Sequence, residues 1–438
     1  MGFGIHDLAL KTPSLYLPIE DLARERKIEP AKLEKGLGLI NMSVCDADED
    51  VVTLAAGAVL QLIKQNPKLT PAQIGRIYVG TESSIDGSKP IATYVHGILE
   101  QYYEQKGKSN ALNHTDAIDM TFACIGAIDA MQNSLAWLHQ NPDKVAIVIA
   151  ADIANYDLDS SGEYTQGAGA VAVLVKKDPA LLEINENWGV AAKSEHDFFK
   201  PIRYELINNE VVSIYDEKPI FDGQFSNTTY YNRMVEALRN GGQQDKLLDY
   251  NGLVFHLPYA YHGRRIITNQ IIAALDRRGE LETICKQEGI SPSDEKFTKV
   301  FSKTSWYKNW INTHIASGET YSSHMGNLYT ASIFLSIMSM LKNGNLEQGN
   351  NLLFIAYGSG SKAKTFAAKL AQDFGNKIAL WNCDDQLSNR DKIDFNQYLA
   401  LRKRSISAVS KSDKEVKKTA SGITETNRFS RDYTFKDL

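Results

Sequence analysis

Two unbroken apolar runs, Val145-Ala-Ile-Val-Ile-Ala-Ala151 and Gly169–Lys176, constrain this chain more than any other feature. Side chains on a strand alternate between its two faces, so a strand that is apolar at every position must be covered on both. Such strands belong to α/β sheets with helices packed on each side. The rest of the chain supports that class. The spacing gives a helix over Val51–Gln65 followed by a strand over 75–80. A second series follows: a strand at Gly252–His256, helices over Arg264–Arg277 and Tyr329–Leu341, and a strand at Asn351–Tyr357. Each half therefore carries strand, helix and Gly-punctuated loop units. Residues 178–250, rich in Asn, Asp, Glu and aromatics, read as strands and loops bridging the halves. From about residue 405 the chain turns polar and reads as mobile or loosely docked.

A chain of 438 residues is too long for one simple core and calls for two or three domains. The net charge of −5 hides a division. Residues 387–438 hold 12 Lys+Arg against 7 Asp+Glu, a balance of +5, which leaves −10 on residues 1–386. An acidic main body is a poor nucleic-acid binder, and the basic tail reads as a solvated surface segment. The four cysteines include no CxxC pair and form neither a disulfide framework nor a zinc site. The N-terminus has no basic stretch and no apolar core of a signal peptide. No apolar run approaches the roughly 20 residues of a membrane helix. The expectation is a soluble protein of the reduced cytoplasm, without nucleic-acid or membrane partners and without a metal.

Three side chains stand where chemistry is usually placed. Cys124 follows a short apolar segment, Asp119-Met-Thr-Phe-Ala-Cys124, and precedes a stretch with helical spacing. A thiol at a helix N-terminus feels the positive end of the dipole, which favours the thiolate. Gly126 permits close approach of other backbone or of a ligand. Glu82 lies directly after the strand at 75–80, where α/β folds place catalytic groups, and an apolar pocket there would raise its proton affinity. His256 ends another apolar strand, where an imidazole can donate to a carbonyl or carry a proton. Taken singly, each has an ordinary alternative: a buried core thiol, a loop glutamate, a satisfied core histidine. Two glycine-rich loops, Met325-Gly-Asn327 and Tyr357-Gly-Ser359-Gly, could present backbone N–H groups to an oxyanion. Neither has the GxxxxGK[ST] form of a phosphate loop.

Several segments in fixed order carry a family resemblance. They include Val79-Gly-Thr-Glu-Ser-Ser84, Ser88-Lys-Pro-Ile-Ala-Thr-Tyr-Val-His96, Ala123-Cys124 and Ala151-Asp-Ile-Ala-Asn-Tyr156. Thr165-Gln-Gly-Ala-Gly-Ala-Val-Ala172, His196-Asp-Phe-Phe-Lys-Pro201 and Phe221-Asp-Gly223 follow. Phe255-His-Leu-Pro258, Gly326-Asn-Leu-Tyr-Thr330 and Tyr357-Gly-Ser-Gly360 complete the set. Together they make the chain resemble the 3-hydroxy-3-methylglutaryl-CoA synthases of the thiolase superfamily. The resemblance implies an α/β, thiolase-like fold: two related halves in layered α-β-α-β-α architecture. The division it suggests is 1–177 with nucleophile and base, 178–380 with the histidine and asparagine, and 381–438 as a partly mobile extension. It implies condensation of acetyl-CoA with acetoacetyl-CoA in the mevalonate pathway by a homodimer, with CoA thioesters as substrates and no cofactor.

Carried over by motif, Cys124 takes the acetyl group, Glu82 is the general acid/base, and His256 polarises the ketone. Asn327 and Ser359 shape the site around the acyl chain, with Tyr156 and Tyr357 beside it, and Asp152 and Asp222 support it. The family commonly has a lysine five residues after the histidine, where this chain has Tyr261. Arg264 and Arg265 are the expected substitutes as contacts for CoA phosphates. The alternative reading is a polyketide β-branching synthase that takes its substrates from acyl carrier proteins.

Overall fold

A computed structural model describes residues 2–423 and 429–437. Its main sheet uses β1 (Phe3–Lys11), β2 (Ile74–Gly80), β3 (Asp116–Met120), β4 (Val145–Ile153), β5 (Ala168–Lys177), β6 (Leu182–Ala192), β7 (Gly252–Phe255), β8 (Asn351–Gly358) and β9 (Lys362–Leu370). These nine strands run in the order β7-β8-β9-β6-β1-β5-β4-β2-β3. In the first half β2 pairs parallel with β3 and β4, and β5 and β1 run antiparallel beyond β4. The second half repeats the theme. There β7 and β8 are parallel, and β9 and β6 follow antiparallel. The halves meet at β1 and β6 through only two residue pairs, Gly4 with Glu183 and Ile5 with Leu182.

Strand parity builds the layers. Val145, Ile147 and Ile149 of β4 pack into a core with α1 (Val51–Gln65) and α2 (Ile91–Gln105). The intervening Ala146, Val148 and Ala150 face the other way, onto α3 (Gly126–Leu138). That central core also holds Phe334 and Met338 of a helix at Ser332–Asn343, and Leu352, Phe354 and Ala356 of β8. The alternate β8 residues Leu353, Ile355 and Tyr357 turn outward onto α4 (Gly223–Asn240) and α5 (Thr268–Arg277). With Ser332–Asn343 as α6, the layers read α1/α2, sheet, α3/α6, sheet, α4/α5. The unbroken apolar runs at β4 and β5 follow from cover on both faces. Asp50 starts α1 with a capping box, accepting from the Val52 and Thr53 amides.

Three regions depart from the sequence reading. The bridging stretch 178–250 holds the 18-residue helix α4. Its opening stretch, Gly-Gln-Phe-Ser-Asn-Thr-Thr, holds poor helix formers at every position but Gln224. It folds because Tyr230, Met234, Ala237 and Leu238 form a buried stripe and Asp222 caps the first turn. The helix expected over 264–277 is two pieces, His262–Ile266 and Thr268–Arg277, and the one expected at 329 opens as a 3₁₀ turn before α6. The polar tail is not loosely docked among the described residues. Val416–Ile423 pairs antiparallel with Phe429–Phe435, and Val416 and Phe435 are buried against α1 and α2. The Lys414 ammonium is buried 2.9 Å from Asp46 and also pairs with Asp48. Val416 and Phe435 face each other at the open end of the hairpin, and with Lys414 beside them these buried anchors outweigh the polar residues that follow. No helix among the described residues is long and apolar enough to cross a membrane.

Candidate active site

Cys124 ends the β3–α3 connection, two residues before the first residue of α3. The turn is tight: Ala123 has φ +38°, in the left-handed region. At Gly126 a Cβ would come within 2.5 Å of the Met120 carbonyl oxygen, so the close approach expected there is to backbone. Gly358 has the same kind of role from the second half. A Cβ there would lie 2.8 Å from the Phe122 carbonyl oxygen, so the Tyr357–Gly360 loop sits directly on the cysteine loop.

Glu82 follows β2, and its Oε1 accepts from the Cys124 thiol at 2.9 Å. Both side chains are buried. Burial, reinforced by the Glu82 charge, pushes the thiol well above its ordinary range. The helix dipole does not win, so the expected resting thiolate is corrected to a neutral thiol that donates to Glu82. Burial also pushes the Glu82 carboxyl up, with Asp152 in the same direction and Lys200 against it.

Asp152, at the end of β4, fixes this corner. Its Oδ1 accepts from the Glu82 amide at 2.8 Å, the Ser83 hydroxyl at 2.8 Å and the Thr81 hydroxyl at 3.0 Å. Its Oδ2 accepts from the Thr330 amide at 3.0 Å and from the Thr330 hydroxyl. One fully buried carboxylate thus joins the Glu82 loop to the segment before α6.

His256 follows β7 and is buried, with no partner for Nδ1 among the described residues. Burial lowers its pKa to about 3, so the imidazole is neutral and able to donate. Asn327 is held by its Oδ1, which accepts from the Tyr329 amide at 2.9 Å and the Ser332 hydroxyl at 3.1 Å. Tyr156 and Tyr329 pack with Cys124 in one small cluster, walled by Phe198 and Phe221. The Tyr357 hydroxyl donates to Asp197 at 2.6 Å, and half-buried Ser359 lies within its reach. A cavity of about 940 Å³ reaches this corner at Ser83, Ile153 and Lys200, but it lies mainly against Ser43–Val51 and the Tyr398–Arg404 segment, and Cys124, Glu82, His256 and Asn327 do not line it. Among the described residues no group of three or more His, Cys, Asp or Glu side chains is placed to hold a metal ion.

A family model described as hydroxymethylglutaryl-coenzyme A synthase N terminal matches residues 1–180, and its C-terminal counterpart matches residues 189–427. The chain belongs to the hydroxymethylglutaryl-CoA synthase family. A hydroxymethylglutaryl-CoA synthase of Haloferax volcanii is 33% identical over 415 residues, covering 89% of this chain and 87% of the relative. The solved structure of MvaS in complex with 3-hydroxy-3-methylglutaryl coenzyme A superposes with a TM-score of 0.82 at 28% identity, covering 100% of this chain and 99% of that one. The HMG synthase of the curacin biosynthetic pathway, at 19% identity and TM-score 0.77 over the full length of both chains, shares the fold.

Not every residue expected at this synthase site is brought there. Asp222 is exposed and caps α4, accepting from the Gln224 and Phe225 amides. Arg264 forms a two-pronged ion pair with buried Glu319, with Nε at 2.9 Å, so its guanidinium is already engaged. Arg265 is exposed, leaning on Tyr259 and donating to the Gly36 carbonyl. The residue that sequence reasoning passed over is Lys200. It lies inside the quoted segment His196–Pro201, and its Nζ sits 3.5 Å from Glu82 Oε2 and 3.2 Å from the Glu82 carbonyl oxygen. A lysine flanked by Phe198, Phe199 and Pro201 was the available signal, since an apolar setting asks for a buried partner.

Proposed function

We propose that this chain condenses acetyl-CoA with acetoacetyl-CoA and water, giving 3-hydroxy-3-methylglutaryl-CoA and CoA through an acetyl-Cys124 intermediate. The observation that carries the reading is the buried 2.9 Å contact between Cys124 Sγ and Glu82 Oε1. A neutral thiol needs a base at the moment of attack, and Glu82 is in place to take its proton. Attack on acetyl-CoA forms the thioester, and the departing CoA thiolate recovers that proton.

The same carboxylate then removes a methyl proton from acetyl-Cys124. A thioester suits this step, because it leaves the α-protons more acidic than an oxygen ester would. The new carbon–carbon bond forms at the ketone carbon of acetoacetyl-CoA, and the ketone oxygen becomes the product hydroxyl after protonation. Neutral His256 donates to that oxygen, and Asn327 and Ser359 shape the space around it. Water cleaves the remaining thioester to Cys124, which frees the carboxylate end of the product. Backbone amides of Cys124 and Ser359 are the donors for the developing oxyanion.

In this reading residues 1–177 supply nucleophile and base and 178–380 supply the ketone-binding side chains, while the described part of 381–438 braces both, through Lys414 on Asp46 and Asp384 on Tyr321. Arg265 is the remaining candidate for a CoA phosphate, since Arg264 is paired. The enzyme works as a cytoplasmic homodimer, and its product enters the mevalonate pathway. The carrier-protein alternative is disfavoured by the 33% identity to a hydroxymethylglutaryl-CoA synthase against 19% to the curacin enzyme. The test is a steady-state assay of free CoA release with acetyl-CoA plus acetoacetyl-CoA, run beside the same acyl groups on a carrier protein. Turnover with CoA thioesters supports the proposal. Turnover only on the carrier protein overturns it.

A further inference from the structure

Two carboxylates and a thiol share one buried corner. Burial and the charge of Asp152 both oppose a negative charge on Glu82. A protonated Glu82 could accept a proton neither from the thiol nor from the acetyl methyl group. The structure supplies a counter-charge from a distant part of the chain. Lys200 reaches Glu82 at both ends, with Nζ 3.5 Å from Oε2 and 3.2 Å from the main-chain carbonyl. Its side chain is 8% exposed, and the ammonium lies 4.6 Å from the centre of the Tyr329 ring. The lysine has little freedom to turn elsewhere. With Oε2 held by Lys200, the oxygen left facing Cys124 is Oε1.

We propose that Lys200 is a positioning residue that acts through Glu82, fixing which oxygen faces the reacting atoms and keeping the carboxylate charged for proton abstraction. The inference rests on the reading of Glu82 as the base. The groups facing Glu82 are Lys200, Asp152 and Cys124, the Tyr215 hydroxyl, which donates to its carbonyl at 3.5 Å, and the buried phenols of Tyr156 and Tyr329. Lys200 is the cation in this set. It directly follows the short strand Phe198–Phe199, which pairs with Ile220–Phe221 and places Phe198 and Phe221 near Tyr156. The segment that carries the counter-charge therefore also walls the acyl site.

The test uses the full-length enzyme, with Lys200→Met, Lys200→Arg and Glu82→Gln beside it. The pH dependence of kcat/KM for condensation is measured for each. Lys200→Met is expected to move the rising limb to higher pH by about one unit or more, a tenfold loss at fixed pH below the limb that returns as pH rises. Lys200→Arg is expected to restore most of that shift. Loss of activity in Lys200→Met with an unmoved limb, or no recovery in Lys200→Arg, reduces Lys200 to a structural part and overturns the proposal. If Lys200→Met does not fold, the difference infrared spectrum of wild type minus Glu82→Gln at about pH 8 decides. An ionised carboxylate band supports the proposal, and a protonated carboxyl band overturns it. The underlying reading fails separately: normal condensation by Glu82→Gln removes Glu82 as the base, whatever Lys200 does.

Discussion

Asp152→Asn is the most informative single change in the polar frame of the site. The carboxylate receives three donors on Oδ1 (the Glu82 amide and the Thr81 and Ser83 hydroxyls) and two on Oδ2, both from Thr330. An asparagine must turn its NH₂ toward one of these sets. The better choice gives up the Thr330 side, where the hydroxyl, which also reaches the Gly80 carbonyl at 3.0 Å, can donate there and accept from the NH₂, so one donor, the Thr330 amide, is left facing a donor. The lost bond to the buried charge is worth about 1.5–3 kcal/mol. Unfolding 438 residues at about 2.1 cal/mol/K per residue turns that into a fall in Tm of about 2–3 °C. The contacts to Thr330 tie the Glu82 loop to the segment bearing Asn327, so condensation should also slow by about tenfold or more. Calorimetry and a CoA-release assay on the same preparation read both effects. A Tm within about 1 °C of wild type together with an unchanged rate would refute the assignment of Asp152 as the tie between the halves.

Glu82→Gln should slow condensation by about a hundredfold or more, and should slow acetylation of Cys124 as well, since the same carboxylate accepts the thiol proton; rapid-quench measurement of each step checks this. His256 and His262 are buried with pKa values lowered to about 3, so the unfolded chain binds more protons between about pH 6.5 and 3. Stability should therefore fall with falling pH across that window, by up to about 1.4 kcal/mol per pH unit for each histidine; denaturant unfolding at stepped pH measures it, and a flat profile would contradict the burial. Arg264→Ala should destabilise the fold by about 2–3 kcal/mol by leaving Glu319 unpaired, reduced from the fully buried case because Arg264 is partly exposed. Arg265→Ala should leave stability alone and raise KM for CoA thioesters about tenfold, with a smaller defect for pantetheine thioesters.

The strands were the most legible part of this fold. At β4 and β5 all but the last one or two positions are buried and both faces are covered, so composition alone marks them. The nucleophile and the base were legible as residue types at the ends of such strands. What distance in sequence hides is their environment. Whether a helix dipole or burial governs Cys124 depends on Glu82 and Asp152, 42 and 28 residues away in opposite directions. Lys200 was quoted within a motif, but its role depends on a contact across 118 residues with Glu82. Arg264 read as a free phosphate contact because Glu319, its partner, lies 55 residues downstream. Helix α4 was illegible for a different reason: its stability comes from a buried stripe that outweighs its local propensity.

The central claim is that Cys124 carries the acetyl group and Glu82 activates both the thiol and the bound acetyl. The most direct measurement is the mass of the intact protein, and of the peptide containing Cys124, after brief incubation with acetyl-CoA and quenching in acid. The account expects one added acetyl group on Cys124, removed when acetoacetyl-CoA is supplied and replaced by free 3-hydroxy-3-methylglutaryl-CoA in solution. No adduct, an adduct on Cys45, Cys285 or Cys383, or an acetyl-Cys124 that acetoacetyl-CoA does not discharge would contradict it.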